Sequence, residues 1–174
     1  MNTTQHYRFE EALTYDDIQL VPSYSEIKSR RNIDLTTRLT TNYNIKVPLI
    51  ASPMDTICEA EMAMTMGKLG GIGCIHRFMS IGEQAVHVKL VTTTGMLGMG
   101  AVGANGDYVE RAQELVNNGA SVILIDVAHG WHSFVREAID TLKKKLPSYV
   151  DIVAGNVATA EAALALQDWG ADAT

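Results

Sequence analysis

The sequence predicts an α/β fold built from consecutive strand-then-helix units, a parallel sheet wrapped by helices. Five apolar runs, at 47–54, 71–76, 97–103, 122–129 and 151–156, recur at spacings of 24, 26, 25 and 29 residues. Each is followed by a helical pattern, and strands that alternate with helices demand a parallel sheet. Every run also ends in chemically capable groups: Ser52 and Asp55, His76 and Arg77, Asn105, Asp126 and His129, then Asn156 and Thr159. An open doubly wound sheet gathers such groups at one switch point, whereas a closed barrel places them at every strand end. The alternatives are an open five-stranded domain and, favoured by the strand ends, a (β/α)8 TIM barrel. This chain would cover an amino-terminal arm and about the first five units of it.

Residues 1–45 are mixed and polar, with Pro22 and the basic cluster Lys28, Arg30 and Arg31, and read as an extended arm or lid. Residues 46–174 read as the partial barrel, stopping as a sixth run begins at 171–174. The helices declare themselves by their ends. Ser80 with Glu83 forms a capping-box pattern that opens a helix with Ala85, Val86 and Val88 inward. Asp107 opens the next, where Val109, Ala112, Leu115 and Val116 share a face and Gly119 suits a left-handed stop. Ser133 begins a helix carrying Phe134, Val135, Ala138, Ile139 and Leu142, which Pro147 prevents from continuing. Thr159 caps a last helix that ends at Gly170.

At 174 residues and 47 % hydrophobic the chain can bury a real core. A net charge of −6, with Lys143 to Lys145 as its only basic run, argues against binding nucleic acid or an anionic membrane. No stretch approaches the roughly 18 apolar residues of a membrane span, so a soluble, cytoplasmic protein is expected. Cys58 and Cys74 lie 16 residues apart without a C-x-x-C spacing, and read as small buried apolar residues in a reducing compartment. Neither has a partner base that would make it a nucleophile.

Gly98-Met99-Gly100-Ala101-Val102-Gly103 matches the dinucleotide fingerprint, with Asp126 at the end of the next run. A true fingerprint follows a strand and opens directly into a helix. Here Thr92 to Gly95 make a poor strand and Asn105-Gly106-Asp107 intervene, so the glycines read as lying inside a strand, where they permit close approach. Asp126, His129 and His132 have the residue types of a zinc site, but they span a strand end and a loop broken by Gly130, and a metal is not expected. Asp126 reads better as an acceptor for a ribose or similar diol, or else as a cap of the following helix. Ser52-Pro53-Met54-Asp55-Thr56 ends the first run with a hydroxyl, a thioether and a carboxylate. Asn156, after Gly155, either donates to and accepts from a ligand or shapes a turn.

Taken together, several segments resemble the IMP dehydrogenase and GMP reductase family. They are Leu13-Thr14-Tyr15-Asp16-Asp17, Ser52-Pro53-Met54-Asp55-Thr56, Gly70-Gly71-Ile72-Gly73 with Ile75-His76, Ile125-Asp126-Val127-Ala128-His129-Gly130, and Ala154-Gly155-Asn156-Val157-Ala158-Thr159. The resemblance implies a (β/α)8 barrel, usually a homotetramer, that handles a purine nucleotide (IMP or GMP) with NAD or NADP. Such enzymes oxidise IMP to XMP with NAD, or reduce GMP to IMP and ammonia with NADPH, through a cysteine that adds to the purine. It implies substrate contacts at Ser52, Met54 and Asn156, and cofactor contacts at Asp126 and His129. The family's nucleophilic cysteine and its monovalent-cation (potassium) ligands follow the sixth strand, beyond Thr174, so no catalytic residue is assigned here. Residues 89–97 leave no room for the CBS modules that many dehydrogenases insert. Residues 52–56 and 70–73 lean toward the dehydrogenase, Asp126-Val127-Ala128 toward the reductase, and the dehydrogenase is favoured. A non-catalytic nucleotide-binding module is the alternative from another class.

Overall fold

The computed structural model describes residues 12–174, so the first part of the predicted arm lies outside the described residues. The described residues divide into two units, one running to Ile33 and the other Asp34–Thr174. In the first, two short 3-10 turns stand at Tyr15–Asp17 and Arg30–Asn32. The Thr14 backbone N–H and hydroxyl both donate to the Asp17 carboxylate, at 2.8 and 3.0 Å, which closes the first of these turns and holds the Asp17 carboxyl below its usual range.

The second unit opens with an antiparallel hairpin, β1 (Thr37–Arg38) and β2 (Asn44–Ile45). The repeating units follow: β3 (Ile50–Ala51), α1 (Ala60–Lys68), β4 (Ile72–Ile75), α2 (Ile81–Thr93), β5 (Gly98–Val102), α3 (Tyr108–Asn117), β6 (Ala120–Asp126), α4 (Ser133–Lys145), β7 (Asp151–Gly155) and α5 (Ala160–Asp168). The sheet order is β3-β4-β5-β6-β7, all parallel, and a single bridge from Val153 to Ala173 adds the start of one more strand.

Spatial order equal to chain order, without reversal, is how strands follow one another around a barrel; a doubly wound sheet reverses at its switch point. Strand alternation agrees with this. Ile75, Val102, Ile123, Ile125, Ile152 and Ala154 belong to one large core with the buried faces of all five helices, among them Ala63, Val88, Leu115, Ile139 and Leu166. Ile72, Cys74, Met99, Ala101 and Val122 point the other way, into a second cluster with Ile45, Leu39 and Tyr43 of the hairpin region. Helices therefore cover one face only, and the sheet is a curled half-barrel with an inside and an outside. The hairpin region is tied to the amino-terminal end of β7: Asn42 donates through its backbone N–H and Nδ2 to the Asp151 carboxylate, at 2.8 and 2.7 Å, and the Tyr43 hydroxyl donates to Tyr149 O. Residues 34–45, part of the arm on the sequence reading, thus fall within the barrel unit.

The local signals act as their chemistry requires. Ser80 and Glu83 form the reciprocal capping box of α2, and the Thr159 hydroxyl accepts from Ala162 N–H at 3.1 Å to cap α5. Gly119 ends α3 with φ +97°, open to glycine at little steric cost. Two details differ from expectation. Val86 is exposed, and Gln84 takes its place on the buried face of α2. Phe134 is exposed because it lies in the first turn of α4 at the rim, leaving Val135, Ala138, Ile139 and Leu142 to the core.

Candidate functional site

The parallel register places the carboxyl ends of the strands along one rim. Ala51 lies beside Gly73, Ile75 beside Gly100, Val102 beside Ile125, and Asp126 beside Gly155. Ser52 and Met54 follow β3, Asp126 ends β6 with His129 in its loop, and Asn156 follows β7, so all five predicted site residues stand on this rim. Met54 is 49 % exposed, and Ser52, His129 and Asn156 are also open to solvent.

Between the β4 and β5 loops on one side and the β6–α4 loop on the other lies a cleft of about 150 Å³. Arg77, Gly103, Ala104 and Asn105 form one wall, and Val127, His129, His132 and Phe134 face them. His129 is the one predicted site residue among its lining. Asp126 precedes Val127 at its edge, with the strand parity of the interior residue Val122, and its carboxylate accepts no hydrogen bond among the described residues. Ser52, Met54 and Asn156 lie on the same rim outside this cleft.

Arg77 is the cationic group of the cleft. Its guanidinium stands 5.3 Å above the Phe78 ring, and its Nε is buried without a hydrogen-bond partner among the described residues. Arg77 lines the cleft, and its guanidinium charge suits an anionic or carbonyl oxygen there. On the facing wall the His132 ring packs 4.9 Å from the Phe134 ring, and His132 Nδ1 accepts from Phe134 N–H. Next to Arg77, His76 is almost fully buried. Its Nδ1 accepts from Phe78 N–H, which leaves Nε2 as the protonated nitrogen facing Glu59 at 3.3 Å. This contact joins the loop after β4 to the start of α1.

The glycines of 98–103 do not form a dinucleotide turn. Gly98 and Gly100 lie inside β5, where a Cβ would meet Thr92 Cγ2 at 2.6 Å and Leu115 Cδ1 at 2.7 Å. They let α2 and α3 pack closely on the sheet. Among the described residues no group of three His, Cys, Asp or Glu side chains is arranged to hold a metal ion. Both cysteines are fully buried and free. Burial raises the Cys58 thiol to about 11 and pushes Cys74 well above its usual value, with the neighbouring Cys58 and the charge of Asp126 adding to the effect on Cys74. Neither thiol supplies thiolate at neutral pH.

Sequence reasoning missed Gln84 and Arg111. Both are buried in this domain and both reach the loops of the cleft wall. Nothing in the one-dimensional pattern separates them from ordinary helix-surface residues.

Residues 12–174 match the IMP dehydrogenase / GMP reductase domain. An inosine-5'-monophosphate dehydrogenase of Borreliella burgdorferi is 32 % identical over 213 residues, covering 94 % of this chain and 52 % of that protein. One from Cryptosporidium parvum is 34 % identical, covering 93 % and 50 %. A GMP reductase of Streptococcus agalactiae is 36 % identical over 160 residues, covering 92 % of this chain and 48 % of that protein. The chain thus spans about half the length of these relatives. For a nearly equal share of this chain, the match to the Borreliella dehydrogenase is longer than the match to the reductase, so that dehydrogenase carries additional residues inside the matched stretch. With the matched domain covering the half-barrel and its whole rim, the chain belongs to the IMP dehydrogenase / GMP reductase family.

Proposed function

We propose that this chain forms the nucleotide- and cofactor-binding first half of a purine-nucleotide oxidoreductase, in the first instance an IMP dehydrogenase that converts IMP, NAD and water to XMP and NADH. The observation that carries the reading is the shared rim: Ser52, Met54, Asp126, His129 and Asn156, from segments far apart in sequence, all stand at the carboxyl ends of strands of one parallel sheet. Met54 offers a polarizable, half-exposed surface to a purine, and Ser52 and Asn156 carry hydrogen-bonding groups on the same rim. Asp126 accepts from the hydroxyls of the nicotinamide ribose, and His129 stands beside it.

The cleft residues fit a nicotinamide dinucleotide. Among the described residues Arg77 has a donor without a partner and Asp126 an acceptor without one, and His132 and Phe134 offer flat faces. At about 150 Å³ the cleft takes one part of the cofactor, with the remainder across the rim. When bound, the nicotinamide supplies the hydride chemistry. The protein's part here is to bind, orient and exclude water. The two buried thiols leave the covalent step to a cysteine in the half of the relatives that this chain does not span, where the potassium ligands also belong. The assembled enzyme is a cytoplasmic homotetramer on this reading.

GMP reduction with NADPH is the second reading, favoured by the match to the Streptococcus agalactiae reductase without the additional internal residues of the dehydrogenase. Calorimetric titration of the chain tests the shared reading: saturable heat is expected with IMP or GMP and with NAD or NADP, and flat titrations of folded protein overturn it. The preferred nucleotide and cofactor pair then chooses between dehydrogenase and reductase.

A further inference from the structure

Gln84 is fully buried, a costly place for an amide unless every polar atom finds a partner. It does find them. Its Nε2 donates to Ile75 O at 3.1 Å and to Ala101 O at 2.8 Å, while its Oε1 accepts from Arg111 Nη1 at 2.9 Å. Arg111, whose side chain is 9 % exposed, also donates from Nη1 to Met79 O at 3.1 Å. Its Nε and Nη2 donate to the Asp107 carboxylate at 3.2 and 2.6 Å. Asp107 occupies the N-cap position of α3 but spends its carboxylate on Arg111 rather than on the cap.

The contact points bracket two loops. Ile75 and Met79 stand on either side of His76, Arg77 and Phe78; Ala101 and Asp107 stand on either side of Gly103, Ala104 and Asn105. One connected chain of three side chains therefore grips both loops at both ends. These two loops supply one whole wall of the cleft. Of the three, only Asp107 is substantially open to solvent, and none lines the cleft.

We propose that Gln84, Arg111 and Asp107 are positioning residues: together they set the placement of Arg77 and Asn105, and so the affinity for the nicotinamide cofactor, without touching it. The ligand part of this inference rests on the cofactor reading above. A buried and fully satisfied polar network suits this task, because it defines one arrangement where apolar packing tolerates several. Positioning of this kind acts on binding through preorganisation, since a wall already in place needs no ordering when the ligand arrives.

The test uses Asp107→Asn, which removes the carboxylate charge at the solvent-facing end and leaves the core untouched, and Arg111→Lys, which keeps the charge but loses the planar fork. Amide hydrogen exchange is followed residue by residue in the parent chain and both variants, with Phe78 N–H, bonded to His76 Nδ1, as one reporter. Both loops are expected to exchange about tenfold faster in the variants, while Val127 and Gly130 in the facing wall keep their parent rates. NAD affinity should fall about tenfold in Arg111→Lys and less in Asp107→Asn, with IMP affinity held within about twofold. Unchanged exchange, uniform acceleration across the barrel unit, or equal loss of NAD and IMP would each overturn the positioning role. If the parent binds IMP but not NAD, the cofactor reading falls, and the exchange rates alone decide whether the clamp exists.

Discussion

The two walls of the cleft are held in opposite ways. Residues 77 and 103–105 are fixed from beneath by side chains, Gln84, Arg111 and Asp107, that grip main-chain and side-chain atoms at the loop ends. Residues 127–130 are fixed by main chain alone: Val127 N–H donates to Gly155 O at 3.1 Å, Asn156 N–H to Val127 O at 2.7 Å, and Gly130 N–H to Asn156 O at 2.7 Å. A side-chain clamp leaves the loop between its contact points free to vary in sequence. A backbone seam leaves no such freedom, because two main chains in contact exclude any side chain between them. The difference predicts where substitution is tolerated, and it can be broken at either wall.

The largest effect is expected at Gly130. A Cβ there would lie 2.8 Å from Asn156 O, 3.0 Å from Gly155 C and 3.2 Å from Asn156 N, all backbone atoms that no rotamer change can move. Gly130→Ala should cost about 2–3 kcal/mol, the upper part of the overpacking range, and lower the melting temperature by roughly 5–10 °C. Gly82, in α2 with nothing within 4 Å of its added Cβ, is the control, and Gly82→Ala should match or slightly exceed the parent. A benign Gly130→Ala would mean that the seam yields, and the contrast between the walls would fail.

Next comes the clamp itself. Gln84→Leu removes the partner of a buried guanidinium N–H and of two carbonyl oxygens, for an expected loss of about 2 kcal/mol by denaturant melt. Because Arg111 keeps Met79 and Asp107, the loss should stay below that of Gly130→Ala. Thr159→Ala probes an exposed contact by comparison, the cap of α5, where one bond is lost and about 1 kcal/mol is expected. If Thr159→Ala cost as much as Gln84→Leu, buried and exposed polar contacts would be equivalent here, against the argument from burial.

The same contrast explains what was legible in the sequence. The strand–helix repeat, the capping box at Ser80 and the cap at Thr159 are local, so pattern and propensity reveal them. The rim was legible too, because the carboxyl ends of parallel strands must share a face once the repeat is recognised. Gln84 was not legible. An apolar period assigns the inward positions of α2 to Val86 and its neighbours, and only the approach of two strand ends makes a buried amide there better than a valine. Arg111 likewise resembles a solvated helix residue until Asp107 and Gln84 are seen around it. The short β3 shows the opposite failure, for the apolar run 47–54 predicts a longer strand than the two residues that pair. Pro48 and Pro53 flank the paired residues and each lacks an N–H, so neither can extend the ladder as a donor.

The smallest expected effect sharpens the picture of the clamped wall, because the two thiols lie on opposite faces of the sheet at β4. Cys58 sits below the β4 loop, its carbonyl accepting from His76 N–H, while Cys74 points to the interior, where the charge of Asp126 bears on it. Burial favours the neutral thiol, so the folded Cys58 keeps its proton up to about 11, whereas the unfolded chain releases it near 9.0. The folded state binds more protons between those values, and stability from this group is full below about pH 9 and declines as pH rises toward 11. Denaturant melts across that window should show a decline that Cys58→Ala lessens, and an identical decline in the variant would contradict it. Thiol alkylation near neutral pH then becomes a local gauge of opening. Loosening the clamp with Asp107→Asn should expose Cys58 to reagent ahead of Cys74, while equal acceleration of both would mean that the opening reaches both faces of the sheet at once.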